Sequence, residues 1–200
     1  MKEIAPGVWH WTARHPRIGQ IVHSYYLAPE GALIDPLLPE GGVEAIGRIS
    51  EPRYSLLTNR HHYRDSGAFR DAYGVSVHCH AAGMHEFTHG ETVEPFEWGD
   101  RLGDVEVVEV GSLCPEESAF RVEREGGIVA LGDSILQWGP DAPLGFVPEE
   151  HLGDDPEATR RGLRASLGRI ADAGFQVLLL AHAAPVPQGG ADVLRQALGS

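Results

Sequence analysis

Residues 61–65 of this chain read His-His-Tyr-Arg-Asp, two residues after the short strand-like stretch Ser55-Leu56-Leu57-Thr58. Neutral imidazole is the commonest side-chain ligand for metals and moves protons near neutral pH, and carboxylates supply anionic oxygen to the same ions. Three other places also put a metal-capable residue straight after an apolar run: Asp35 in GALIDP, Asp133 in IVALGDS and His182 in VLLLAH. Taken singly, each has an ordinary reading. An aspartate there caps a turn, and a lone histidine is a hydrogen-bonded structural residue. Together they suggest one shared site, because side chains distant in sequence converge at strand ends in α/β sheets.

The elements that must position these groups begin with strands. EIAPGVWHW, QIVHSYYLA and GALIDP read as antiparallel-looking strands broken at Pro16–Gly19 and Pro29–Gly31. A helix is expected over residues 39–49, a buried strand over RYSLLT, and a helix over residues 67–73. In VSVHCH, Val75, Val77 and Cys79 share one face, and His78 and His80 share the other. With His85 and His89 these form a loose second histidine cluster, expected at the surface. In the second half, VEVVEV is a strand, and SAFRVER pairs with GGIVALGD across Gly126-Gly127. The helix expected over residues 156–173 is well signed, with Asp155 as N-cap, Pro156 in the first turn and Gly174 beyond the end. Its Leu163, Leu167 and Ile170 fall at helical spacing. A buried strand, QVLLLAH, and a helix over residues 191–198 close the chain.

Composition limits what such a site serves. Two hundred residues suffice for one domain with a full core, taken here as residues 1–200. A formal charge of −13 disfavours nucleic acid and anionic membrane surfaces as partners. The opening MKEIAPGVWHW lacks the basic start and apolar core of a signal peptide, and no apolar run spans a bilayer, so a cytoplasmic location is expected. Cys79 and Cys114 are the only cysteines, expected reduced and unbridged. Eleven histidines against two methionines favour a metal or acid–base role.

The landmarks, in order, resemble the metallo-β-lactamase-fold superfamily of hydrolases across essentially the whole chain. HSYYLAPEGALIDPLLP is similar to that family's opening, where a strand ends in aspartate. SLLTNRHHYRDSGAF lies where the family carries T-H-x-H-x-D-H-x-G-G. VGSLCPEESAF takes the place of the third-histidine loop, ALGDSI that of the bridging aspartate and LLLAHAAPV that of the final histidine. The resemblance implies an α/β fold of the four-layered αββα kind, with its site along one edge of two sheets.

Carried over residue by residue, the resemblance gives a divergent member with a degenerate signature. Thr58 and Gly67 anchor it without a gap, so Asn59 replaces the first histidine and His61 matches the second. Tyr63 then replaces the aspartate and Arg64 the following histidine. Aligning on Ser118 puts Cys114 at the third-histidine position, while Asp133 and His182 match directly. The implied metal ligands are His61, Cys114, Asp133 and His182. Cys114 has an equally ordinary reading as a small buried or turn residue before Pro115. Asp133, Tyr63 and His62 are the implied catalytic or substrate-orienting groups. Asn59 and Arg64 stand where a second metal's ligands would be, as replacements or substrate contacts. Arg64 either points at Asp133 in place of the missing ion or faces solvent.

Two functions are then expected to compete. One is mononuclear metal-dependent hydrolysis of a small ester, thioester, lactone or amide, with at most one zinc ion per chain. The other is a metal-free, catalytically degenerate relative that binds a ligand or partner. Specificity is expected from the loop Ser134–His151 with its Trp138 and Phe146. Neither substrate identity nor oligomeric state is readable.

Overall fold

The computed structural model describes residues 1–139 and 141–199; Pro140, in the loop expected to set specificity, and Ser200 lie outside the described residues. Seven strands form one sheet in sequence order: β1 (Lys2–Ala5), β2 (Val8–Arg14), β3 (Ile21–Leu27), β4 (Ala32–Ile34), β5 (Tyr54–Leu56), β6 (Ser76–His80) and β7 (Glu94–Phe96). Pairing is antiparallel from β1 through β4 and parallel from β4 through β7. The second sheet contains β8 (Arg101–Leu102), β9 (Val105–Glu109), β10 (Ser118–Val122), β11 (Ile128–Leu131) and β14 (Val177–Leu180), in the order β14-β11-β10-β9-β8. Between β11 and β14 in sequence, β12 (Leu136–Gln137) and β13 (Leu144–Gly145) form a small separate ribbon. The helices are α1 (Gly42–Gly47), α2 (Ser66–Tyr73), α3 (Pro156–Asp172) and α4 (Gly190–Leu198).

Strand alternation builds four layers. In β11, Ile128 and Ala130 face inward, and in β14 so do Val177 and Leu179. There they meet Tyr25, Ile34 and Leu56 of the first sheet in one buried cluster. Val129, Leu131, Leu178 and Leu180, one residue out of phase, pack instead beneath Leu163, Leu167 and Ile170 of α3 and Leu194 of α4. Tyr26 and Leu33, on the other face of the first sheet, meet Ile46 of α1 and Phe69 of α2. A strand buried on both faces shows no hydrophobic–polar alternation, which is why ALI, IVAL and VLLL read as continuous apolar runs. The result is α–β–β–α.

Local chemistry explains the boundaries. Asp155 caps α3 by accepting from Ala158 N at 2.9 Å, and Gly174 turns the chain with φ +75°. The opening strand is two strands rather than one, because Gly7 at φ +69° makes a turn closely packed on Pro29. The first helix starts only at Gly42, after Gly41 and Gly42 both adopt positive φ. The second begins at Ser66, one residue before the expected start. Cys79 is buried and unbridged, and Cys114 is also a free thiol. The second histidine cluster does not sit at the surface as a unit. His78 and His80 are buried, while His85 and His89 are exposed. Among the described residues no helix is long and apolar enough to cross a membrane.

Candidate metal centre

Parallel neighbours end on the same side, so β4 and β5 deliver Asp35 and Thr58-Asn59 together, and β11 and β14 deliver Asp133 and His182 together. The two pairs meet at one edge of the sandwich, where Asn59, Asp133 and His182 line a pocket of about 670 Å³ and Asp35 and Thr58 lie buried behind it. Asn59 then opens a 3-10 turn, Arg60–His62, by accepting from His61 N at 3.0 Å. With three residues per turn, positions 59 and 62 lie on one face and 61 faces away. His62 therefore points inward and is buried, whereas His61 is exposed at the pocket mouth.

His62 is held from behind. Its Nδ1 lies 2.9 Å from Asp35 Oδ2 and 2.9 Å from Thr58 Oγ1. Asp35 is buried at φ +46°, and its carboxylate also accepts from Thr58 N at 2.9 Å and Thr58 Oγ1 at 2.7 Å. A carboxylate on Nδ1 fixes the ring and its tautomer, leaving Nε2 for the pocket. That Nε2 is 3.3 Å from Asp133 Oδ1, and His182 Nε2 is 3.0 Å from the same oxygen. Donor atoms of His62, Asp133 and His182 all lie within 4.8 Å of one another, the one such group among the described residues. Asp133 Oδ1 is thus buried between the two imidazoles.

Charge ties the group together. Burial works against charge on His62, but Asp133 and Asp35 outweigh it and raise the imidazole to about 9. Burial likewise opposes the Asp133 carboxylate, yet the charge of His62 and the contacts with both histidines hold it well below the usual range. Asp35 is lowered too, burial being overcome by His62 and Arg64.

On the other side of Asp133 the polar atoms are already engaged. Asn59 Nδ2 donates to Asp133 Oδ2 at 3.0 Å and to Glu117 Oε2 at 3.1 Å. Glu117 is fully buried and accepts from Asp133 N at 2.8 Å and Ser134 N at 3.1 Å. Burial and the charge of Asp133 push its carboxyl up to about 8. Cys114 lies on the pocket wall with Sγ 3.7 Å from Glu117 Oε2, and burial with the neighbouring glutamates pushes its thiol up.

The structure thus brings together His62, Asp133 and His182, with Asn59 bonded to Asp133. His61 does not join them, because the Asn59-capped turn gives the inward position to its neighbour. Cys114 is paired with Glu117 and stands outside the converging donors. Tyr63 lines the pocket, but its ring packs against Phe87. Arg64 takes neither expected orientation. Its guanidinium turns inward, and Nη1 donates to the main-chain oxygens of His23 and Asp35 at 3.0 and 2.7 Å rather than to Asp133. Burial lowers its pKa, opposed by Asp35 and Asp133. Glu117 is the residue that sequence reading passed over. The signal was topological: in the SAFRVER–GGIVALGD hairpin, the start of β10 lies beside the end of β11, and hence beside Asp133.

No protein-family profile and no curated protein matches this sequence. Solved structures do resemble it. A metallo-β-lactamase family protein from Thermus thermophilus is 21% identical over 98% of this chain and 78% of its own, with a TM-score of 0.67. DIM-1 metallo-β-lactamase exposed to ceftazidime is 13% identical over 99% of this chain and 95% of its own, at 0.69. A protein solved in a di-iron-bound form is 19% identical over 94% of this chain and 92% of its own, at 0.61. The chain has the metallo-β-lactamase fold.

Proposed function

We propose that this chain is a metal-dependent hydrolase that holds a single divalent ion, zinc foremost, on His62, Asp133 and His182 and cleaves a small ester, thioester, lactone or amide. The observation that carries the reading is the convergence of three donor atoms within 4.8 Å of one another, with both imidazole Nε2 atoms turned to Asp133 Oδ1 at the pocket. Two imidazoles and one carboxylate with open positions suit catalytic zinc, and also iron(II). A bound divalent ion lowers the pKa of water toward neutrality and polarises a carbonyl oxygen.

The chain's own residues do the rest. Asp35 keeps the His62 ring in place, and the pocket is of the size that small molecules occupy. Ile18, Leu136, Trp138 and Val147 give its wall apolar surface for the substrate's body. Tyr63 and Arg64 also line the pocket, the phenol packed on Phe87 and the guanidinium held on the main-chain oxygens of His23 and Asp35. One ion, not two, fits a site in which three donors converge and the other oxygen of Asp133 already accepts from Asn59.

The metal-free reading has an observation of its own. Asp133 is already paired with two histidines, and His62 keeps its proton to about 9, so the site is internally neutralised without an ion. Elemental analysis for zinc, iron and manganese, with hydrolysis of aryl ester, thioester and lactone probes before and after chelation, separates the two. One equivalent of metal, lost on Asp133→Ala, with chelator-sensitive turnover is the expected result. No metal uptake at excess zinc, with no hydrolysis, leaves the ligand-binding relative.

A further inference from the structure

We infer that Asn59 and Glu117 form a positioning pair that commits Asp133 to one ion, holding Oδ2 so that only Oδ1 faces His62 and His182. The inference rests on the metal reading above. Its basis is a closed ring of hydrogen bonds around Asp133. The Asp133 backbone N–H donates to Glu117 Oε1, Glu117 Oε2 accepts from Asn59 Nδ2, and the same amide donates to Asp133 Oδ2. Glu117 therefore grips the main chain of Asp133 and, through Asn59, its side chain as well.

The orientation of the Asn59 amide is set by its neighbours. Asp133 Oδ2 and Glu117 Oε2 on one side each accept a hydrogen bond, and the His61 N–H on the other demands an acceptor. Only Nδ2 toward the carboxylates and Oδ1 toward His61 satisfies all three. Both amide hydrogens are thereby used, and neither Asn59 nor Glu117 belongs to the converging donor set. Gly132 makes the approach feasible: a Cβ there would come within 2.9 Å of Glu117 Oε1 and 2.5 Å of Thr58 Oγ1. An unrestrained carboxylate can swing or offer both oxygens. This one is pinned by a neutral amide bridging it to a second buried carboxyl, and partners of this kind set metal affinity without touching the metal.

Glu117→Gln is the sharpest test because it is isosteric. The glutamine oxygen still accepts from the backbone of Asp133 and Ser134, but its NH₂ now faces Asn59 Nδ2, donor against donor, and the link to Asp133 Oδ2 breaks. Asn59→Leu removes the bridge directly. Zinc affinity, measured by competition with a chromogenic chelator on protein shown to be folded by its thermal melt, should fall roughly 10–100-fold for each variant. The double variant should lose no more than the worse single one, since both cut the same ring. In cobalt-loaded protein, the visible absorption of each variant should differ from wild type as the freed carboxylate changes its binding mode. Folded variants with wild-type zinc affinity and cobalt spectrum overturn the inference, and so do losses that simply add. Wild-type protein that takes up neither zinc nor cobalt overturns the metal reading itself, and the inference with it.

Discussion

The two walls around Asp133 use their polar atoms in opposite ways. On the wall built from β4, β5 and β14, Asp35 holds His62 from behind, and the Nε2 atoms of His62 and His182 are turned toward Asp133 Oδ1. On the wall built from the β5 end and the β10 start, Asn59, Glu117 and the backbone N–H groups of Asp133 and Ser134 satisfy one another. The first wall is assembled but unsaturated; the second is saturated. Their difference teaches that one edge of a fold can present a ligand set and, a few ångströms away, replace a ligand set by a hydrogen-bond network. What decides is whether each lone pair already has a protein donor.

The largest effects should come from the unsaturated wall. His62→Ala and Asp133→Ala each remove a proposed ligand and should weaken zinc binding beyond the roughly 10–100-fold typical of supporting groups. Asp35→Asn should fall within that range, because it removes the charge that faces His62 Nδ1 while keeping one accepting oxygen. Cys114→Ser, on the saturated wall, should leave zinc affinity unchanged. Isothermal titration of the four variants ranks them. If Cys114→Ser proves as damaging as His62→Ala, the distinction between the walls collapses.

A smaller, pH-dependent effect sharpens the same contrast. In the metal-free chain His62 is raised from its ordinary 6.5 to about 9 because Asp133 and Asp35 outweigh burial. A folded-state value above the unfolded one contributes stability that is complete below about 6.5 and lost as pH rises through about 9. Its size is of order 3 kcal/mol. The urea midpoint of metal-free wild type should therefore fall relative to that of His62→Gln between pH 6.5 and 9. Zinc competes for the same imidazole, so its affinity should climb over that interval and level off above it. A flat affinity profile would mean that His62 is not a ligand.

Much of the fold was legible because apolar runs, turn glycines and the capped helix α3 each left a local signal. β7, β8, β12 and β13 left little, being two or three residues long. Asp133 and His182 were legible as polar residues ending buried strands. The choice between His61 and His62 was not, since adjacent residues exchange faces according to whether the backbone is extended or turns as a 3-10 helix. Asn59, read as a lost ligand, is the residue that makes that turn. Glu117 was hidden because a Glu-Glu pair after Pro115 looks like an exposed loop. Only the hairpin that sets it against Asp133 gives it a role.

The smallest effect concerns the thiols, and it tests the saturated wall from within. Cys79 is packed with Leu57 and Val77, and burial together with the charge of Glu116 pushes it up to about 12. Cys114 is only partly buried, but burial and the neighbouring glutamates raise its thiol as well. Thiolate is the reactive form, so both should alkylate slowly at pH 8 in the native protein, Cys79 only on unfolding, with two thiols counted in denaturant. Adding zinc then asks which wall takes the ion. If Cys114 were a ligand, the metal would draw off its proton and shield the sulfur, and labelling of Cys114 would fall sharply. With the ion on His62, Asp133 and His182, the Cys114 thiol keeps its place beside Glu117, and its labelling rate should not change.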